Sequence, residues 1–182
     1  MTKKLGLSLL TFFILSLTSA ATAVFADDDD ESCSDRPGYK RVEVSGNGVH
    51  DYSTQILHRQ KFTESGKRER TTDSIDLWGD LEGRVLYQPR SIYDFSKGTL
   101  VNTGRQVFSG TVLGSRPVML YDDDFRFEVT FATGEVRGEV YLTEHLAGPR
   151  MTCELTIYGV AEKDDPKPEF EYNGFCWVKK RR

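Results

Sequence analysis

Apolar residues in the last third of the chain recur with a period of two across three successive turns. Asp124 to Phe131 and Glu135 to His145 flank Thr133-Gly134, a two-residue turn signal. A hairpin closed there sets Phe131 opposite Val136, Val129 opposite Gly138, Phe127 opposite Val140 and Phe125 opposite Leu142. A second turn at Leu146-Ala147-Gly148-Pro149 sets Leu142 opposite Cys153, Val140 opposite Leu155 and Gly138 opposite Ile157. A third, in Lys163-Asp164-Asp165-Pro166, sets Cys153 opposite Cys176, Leu155 opposite Gly174 and Ile157 opposite Tyr172. All three keep the apolar residues on one face, and a one-residue slip at any of them would turn a strand inside out.

The same period continues upstream. Lys40–Ser45 carries Val42 and Val44 on one side, and Ser53–Phe62 alternates in polarity. Leu81, Gly83, Val85 and Tyr87 share a face. Thr99–Leu113 is a long strand, and Gly114-Ser115 closes a hairpin to Arg116–Tyr121. That hairpin pairs Val112 with Pro117, Gly110 with Met119 and Phe108 with Tyr121. Lys61–Ser74 is polar and charge-rich and reads as a surface loop. The pattern predicts eight or nine strands and no helix after the first residues. Hairpin-linked strands in this number form two packed sheets or close on themselves. Closure removes exposed edges, and glycines in the inward rows suit the bent strands of a small barrel. The expected fold is therefore all-β, a single antiparallel barrel of about eight strands, wide enough inside for side chains or one small ligand.

The ends of the chain add a compartment. Lys3 and Lys4 precede an apolar run from Leu5 to Leu17, too short for a span of about 20 residues. Small residues follow, so residues 1–26 read as a signal peptide cleaved after Ala26, with Ala23 the alternative site. Residues 27–37 then form an acidic segment led by Asp27-Asp28-Asp29-Asp30-Glu31, residues 38–178 the barrel, and residues 179–182 a basic tail. Removing the leader takes two lysines and no acid, moving the formal charge from −4 to −6. The reading is a secreted or periplasmic protein with no membrane association after cleavage. Its basic residues form no aromatic-interleaved stripe, which argues against a nucleic-acid partner. In such a compartment three cysteines invite a disulfide, and the register places Cys153 across from Cys176. Cys33 is left over: free, bridging two chains in a homo-oligomer, or displacing one partner.

Three stretches carry a resemblance: Gly79-Asp80-Leu81-Glu82-Gly83-Arg84-Val85, then Thr103 to Gly114, then Phe127–Glu139 with Gly134 and Gly138. Together they resemble the allene oxide cyclase-like barrels, a calycin-like group that includes dirigent-type proteins and small bacterial barrels. The resemblance covers roughly Leu81 to Gly159 and carries no catalytic residue to a numbered position. It implies an apolar small molecule within the barrel, steered in some members toward cyclisation or coupling, without a cofactor.

The chain holds no nucleophile elbow, zinc-protease helix, phosphate loop or dinucleotide fingerprint. His50, His58 and His145 lack ligand spacing and read as surface or turn residues, so no metal site is expected. Asp123 would enter the apolar row between Tyr121 and Phe125 if one strand ran unbroken from Pro117 to Phe131. A buried carboxylate there would have a raised pKa. Otherwise Asp122-Asp123-Asp124 is a turn with its acids in water. Tyr87, Tyr121 and Tyr172 lie in the inward row, where a hydroxyl can orient a carbonyl or fill the barrel mouth. On the other face Glu128 is expected opposite Glu139, with Arg126 and Arg137 diagonal, and Tyr141 opposite Glu154.

These readings select Tyr87, Phe108, Met119, Tyr121, Phe127, Val140 and Tyr172 as ligand-binding candidates. Asp123 and Tyr121 are the candidate catalytic groups. The function expected is binding of a small apolar organic molecule, with cyclisation or isomerisation as its chemistry. The rival is a non-catalytic interaction protein with a solidly packed barrel.

Overall fold

The structure is a computed structural model that describes residues 36–161 and 165–180. The expected signal peptide, the acidic run, Cys33 and the last two residues of the basic tail lie outside them. Ten strands account for nearly all of it: β1 (Tyr39–His50), β2 (Ile56–Thr63), β3 (Gly66–Gly79), β4 (Leu81–Asp94) and β5 (Thr99–Val112), then β6 (Val118–Thr130), β7 (Glu135–Leu142), β8 (Glu144–Ala147), β9 (Met151–Val160) and β10 (Glu169–Lys179). A single 3-10 turn, Tyr52–Thr54, separates β1 from β2. Eight of the strands, β1-β10-β9-β7-β6-β5-β4-β3, close into an antiparallel barrel when β1 pairs with β3. The expected fold class is therefore the observed one. β2 continues the line of β1 beyond that seam and pairs with the outer part of β3.

Register agrees with the pattern where strands are linked through β9. Leu142 faces Cys153 and Val140 faces Leu155, while Cys153 faces Cys176 and Ile157 faces Tyr172. Cys153 and Cys176 form a disulfide inside the core, with Cα atoms 4.1 Å apart. Closing a loop of this length contributes about 3 kcal/mol by the chain-entropy argument. The bond suits an oxidising compartment, and among the described residues no helix is long and apolar enough to cross a membrane.

Three expectations are corrected. The β6–β7 hairpin is shifted by two residues, with Val129 opposite Val136 and Phe127 opposite Gly138. The physical reason is its turn: Gly134, at φ 70°, donates its N–H to the Thr130 carbonyl, so the loop holds four residues rather than two. A two-residue shift keeps the faces. It also places Glu128 opposite Arg137 and Glu139 opposite Arg126, not the two glutamates opposite each other.

The β5–β6 hairpin is shifted by one, which does change faces. Gly110 pairs with Val118, Phe108 with Leu120 and Val107 with Tyr121, so Val118, Leu120 and Asp122 point inward. Met119, 39% exposed, Tyr121 and Asp123 lie on the outer wall.

Finally, Lys61–Ser74 is no loop: it makes the end of β2, a tight turn and the first half of β3. Its inward row, Glu69, Thr71 and Asp73, is polar, so no apolar alternation marked it as strand.

The barrel interior divides along its axis. Leu81, Phe108, Val112, Leu120, Leu142 and Tyr172 pack the closed half together with the disulfide. The other end, bounded by the hairpin tips at 63–66, 94–99 and 130–135, is open.

Candidate functional site

A cavity of about 470 Å³ occupies the open half of the barrel, within the range of small-molecule sites. Its two walls differ in chemistry. Leu100, Phe127, Val129, Val136, Ile157 and Phe170, from β5, β6, β7, β9 and β10, make an apolar wall. Residues of β1, β3, β4 and β5 make the polar one.

The polar wall follows from β3. Alternation sends Lys67, Glu69, Thr71 and Asp73 inward, while Arg68, Arg70 and Thr72 point out. Glu69 accepts from Lys67 Nζ at 2.7 Å and from Gln60 Nε2 at 2.5 Å. Burial would raise its carboxyl, but these two donors outweigh it and hold the pKa below the ordinary value. Lys67 also sits 4.2 Å from the centre of the Tyr93 ring.

Deeper in, Asp73 Oδ2 accepts from Thr71 Oγ1 at 2.7 Å and Gln55 Nε2 at 3.2 Å. Its Oδ1 lies 3.4 Å from His50 Nε2. Desolvation pushes this carboxyl up, yet His50, Thr71 and Gln55 together keep it below 3.8, so it is ionised at neutral pH. The same His50 nitrogen is 3.1 Å from the Tyr87 hydroxyl, whose pKa burial drives well above 10.0. Tyr52 packs on the imidazole with ring centroids 4.1 Å apart, and Tyr87 packs edge-on against Phe125. The site floor is thus an imidazole between a carboxylate and a phenol, under an aromatic wall.

Two buried acceptors in this cavity lack a well-formed hydrogen bond: Asn102 Oδ1, which has no partner, and Asp73 Oδ1, whose one polar neighbour is His50 Nε2 at 3.4 Å, close enough for charge attraction but outside hydrogen-bond geometry. A buried acceptor left unmatched costs about 1–3 kcal/mol. The arrangement therefore favours a guest that brings N–H or O–H groups to this wall.

Of the ligand-binding candidates, Tyr87 and Phe127 line the cavity. Phe108, Val140 and Tyr172 are buried in the packed core beneath it. Tyr172 has a structural task there: its hydroxyl accepts from Leu81 N at 2.7 Å and reaches the Leu81 and Trp78 carbonyls, across the seam that closes the barrel. Met119 and Tyr121 are on the outer wall and touch no part of the cavity.

The catalytic candidate Asp123 is exposed; its neighbour Asp122 is the buried acid. A bulge explains the exchange. Between Gly104–Phe125 and Gln106–Asp122, β6 advances three residues while β5 advances two. Asp122 holds the bulge. Its Oδ1 accepts from Asp124 N, and its Oδ2 accepts from Gln106 Nε2 and from Tyr141 N of β7. Burial raises its pKa against those bonds, but every oxygen is engaged and none faces the cavity.

His50 is corrected from a surface residue to the centre of the polar floor. His58 and His145 stay exposed or nearly so, bonded to Thr72 and to the Gly148 carbonyl. Nothing in the sequence pattern singles out Asp73, Glu69, Lys67 or Asn102 as site residues. Their one signal in the sequence is parity: Lys67, Glu69 and Asp73 share it with Ile75 and Leu77 of β3, and Asn102 shares it with Gln106 and Phe108 of β5.

Comparison with protein-family models, with curated proteins and with solved structures yields no match for this chain.

Proposed function

We propose that this barrel binds a small organic molecule with an apolar body and a hydrogen-donating end, such as a long-chain or aromatic alcohol, phenol or amine. The observation that carries the reading is a pair of buried acceptors without a hydrogen bond, Asn102 Oδ1 and the Asp73 Oδ1 that only His50 approaches, in a cavity whose facing wall is apolar. The body of the molecule lies against Val129, Val136 and Phe170, and its donor end meets Asp73. An ionised Asp73 also accommodates a cationic amine. Resemblance to the allene oxide cyclase-like barrels supports the apolar guest; the polar floor modifies it. Residence in an exported protein accords with the disulfide and with the leader-like first residues.

Titration with N-phenyl-1-naphthylamine, an aromatic amine whose emission rises in apolar surroundings, tests this reading. Val129→Trp fills the cavity from its apolar side, and the expected result is loss of the fluorescence rise with the fold retained. No rise with the unaltered protein, or the same rise in the variant, contradicts it.

One observation favours a catalytic form of the same reading. His50 contacts both Asp73 and Tyr87, an arrangement able to move a proton to or from a bound molecule during an isomerisation or cyclisation. Shape adds to it by holding a flexible molecule folded in a site screened from water. Conversion of the bound molecule by the protein, lost in His50→Gln, is the expected outcome once that molecule is identified.

A further inference from the structure

The open end of the barrel carries features that reach beyond the cavity, although Tyr93 and Phe131 also border it. Three aromatic side chains stand on its rim. Phe62, near the end of β2, is 70% exposed; Phe95, in the β4–β5 turn, 57%; and Phe131, in the β6–β7 turn, 41%. Tyr93, Phe95 and Phe131 pack together with ring centroids 6.3–6.4 Å apart. Phe62 joins this cluster through Lys67, which it faces across the β2–β3 ladder and which covers the Tyr93 ring. The result is an exposed aromatic cluster of Tyr93, Phe95 and Phe131 on one part of the mouth, with Phe62 set beyond Lys67 on the neighbouring hairpin. Water gains nothing from such a cluster, and patches of this kind mark interaction sites.

Just below the rim the outer wall is basic. Arg59, Arg70 and Arg90 are directly opposite one another on β2, β3 and β4, and Lys61 is opposite Arg68 one step nearer the tip. Among the described residues none of these five makes an ion pair. Like charges directly across a ladder destabilise it, so the row gains from anions brought against this wall. The carboxylates Asp94, Glu128 and Glu135 are already paired with Lys97, Arg126 and Arg137. Glu64 in the β2–β3 turn, and Asp165 and Glu169 at the β9–β10 side of the mouth, make no ion pair among the described residues, and only Glu64 adjoins the basic wall; Asp123 and Asp124 border the arginines further down it.

From this arrangement we infer that the open end docks on an anionic lipid surface. The three phenylalanines enter the headgroup–acyl boundary, and the arginine row neutralises lipid phosphates beside them. Exposed aromatic side chains suit that boundary, and each Lys or Arg near an anionic leaflet adds to the attraction. A second copy of the chain fits less well, because a two-fold contact through this end would set the basic walls against each other. Docked this way, the cavity opens toward the membrane, and an apolar molecule passes between lipid and barrel without crossing water. The inference is read from the rim and outer wall, and vesicle binding is measured without reference to what occupies the cavity.

Co-sedimentation with vesicles tests it, comparing phosphatidylcholine alone with phosphatidylcholine containing phosphatidylglycerol. The expected result is binding to the anionic vesicles, weakened by salt and at least ~10-fold weaker on phosphatidylcholine alone. Phe62→Ser/Phe95→Ser/Phe131→Ser should lower it by a further ~10-fold or more, as should Arg70→Glu/Arg90→Glu. All five positions are exposed, so circular dichroism should be unchanged. No sedimentation with anionic vesicles, or equal sedimentation of the phenylalanine variant, overturns the inference. A concentration-dependent dimer that the same variant abolishes, without vesicle binding, assigns the rim to a second copy instead.

Discussion

Asp122 and Asp123 adjoin in the sequence, yet one is a buried bracket and the other a surface charge. Three donors converge on Asp122: the Asp124 and Tyr141 backbone N–H groups and the Gln106 amide. Asp122→Ala leaves all three without an acceptor, and a loss of about 2–4 kcal/mol is expected in urea unfolding. Asp123→Ala should stay within about 0.5 kcal/mol of the parent. The reverse ranking would show that the bulge is misplaced. Asp73 yields a prediction of a different form. Its folded pKa lies below 3.8, so it contributes stability above that pH and loses it as pH falls through the lower folded value. The stability gap between the parent and Asp73→Asn should be constant near neutrality and close below pH 3.8. A gap that persists in strong acid would mean that the carboxylate is not held by His50, Thr71 and Gln55. Neither residue stood out in the sequence. Asp122 was hidden by a bulge, which leaves no periodic trace, and Asp73 by a polar inward row.

At the scale of elements, the strands most legible in the sequence are those that line the packed half. β7, β9 and β10 read correctly because Val140, Leu142, Leu155 and Ile157 can face only one way. β3 read as loop because its outer half has charged or polar residues on both faces, one toward water and one toward the cavity. Hydrophobic alternation reports burial against apolar neighbours, so it fades where a barrel wall turns polar to build a site. The β1–β3 seam shows another element that pattern does not reach. Gly46 is directly opposite Gly79, and a Cβ at Gly46 would run into the Trp78 carbonyl and the Tyr172 hydroxyl. Gly46→Ala must therefore part the two strands or displace Tyr172 from its bond with Leu81. A loss of about 2–4 kcal/mol is expected, with faster amide exchange along β1 and β3. Unchanged exchange at the seam would argue that the barrel closes by some other pairing.

Across the whole molecule, one barrel is used in two ways. Its closed half is a dense core stapled by Cys153–Cys176, and its open half gives up packing for a cavity with unlike walls. The sequence disclosed the barrel, because closure is what many alternating strands require. It disclosed little of the site, because the site is where alternation fails. The central claim is that a small molecule with a donor end occupies the open half. Native mass spectrometry of the protein purified gently from its own host tests this most directly, alongside Val129→Trp prepared in the same way. The account predicts an added mass of a small organic molecule on the parent and none on the variant. A bare mass for the parent, with no uptake of an aromatic amine added in excess, would contradict it.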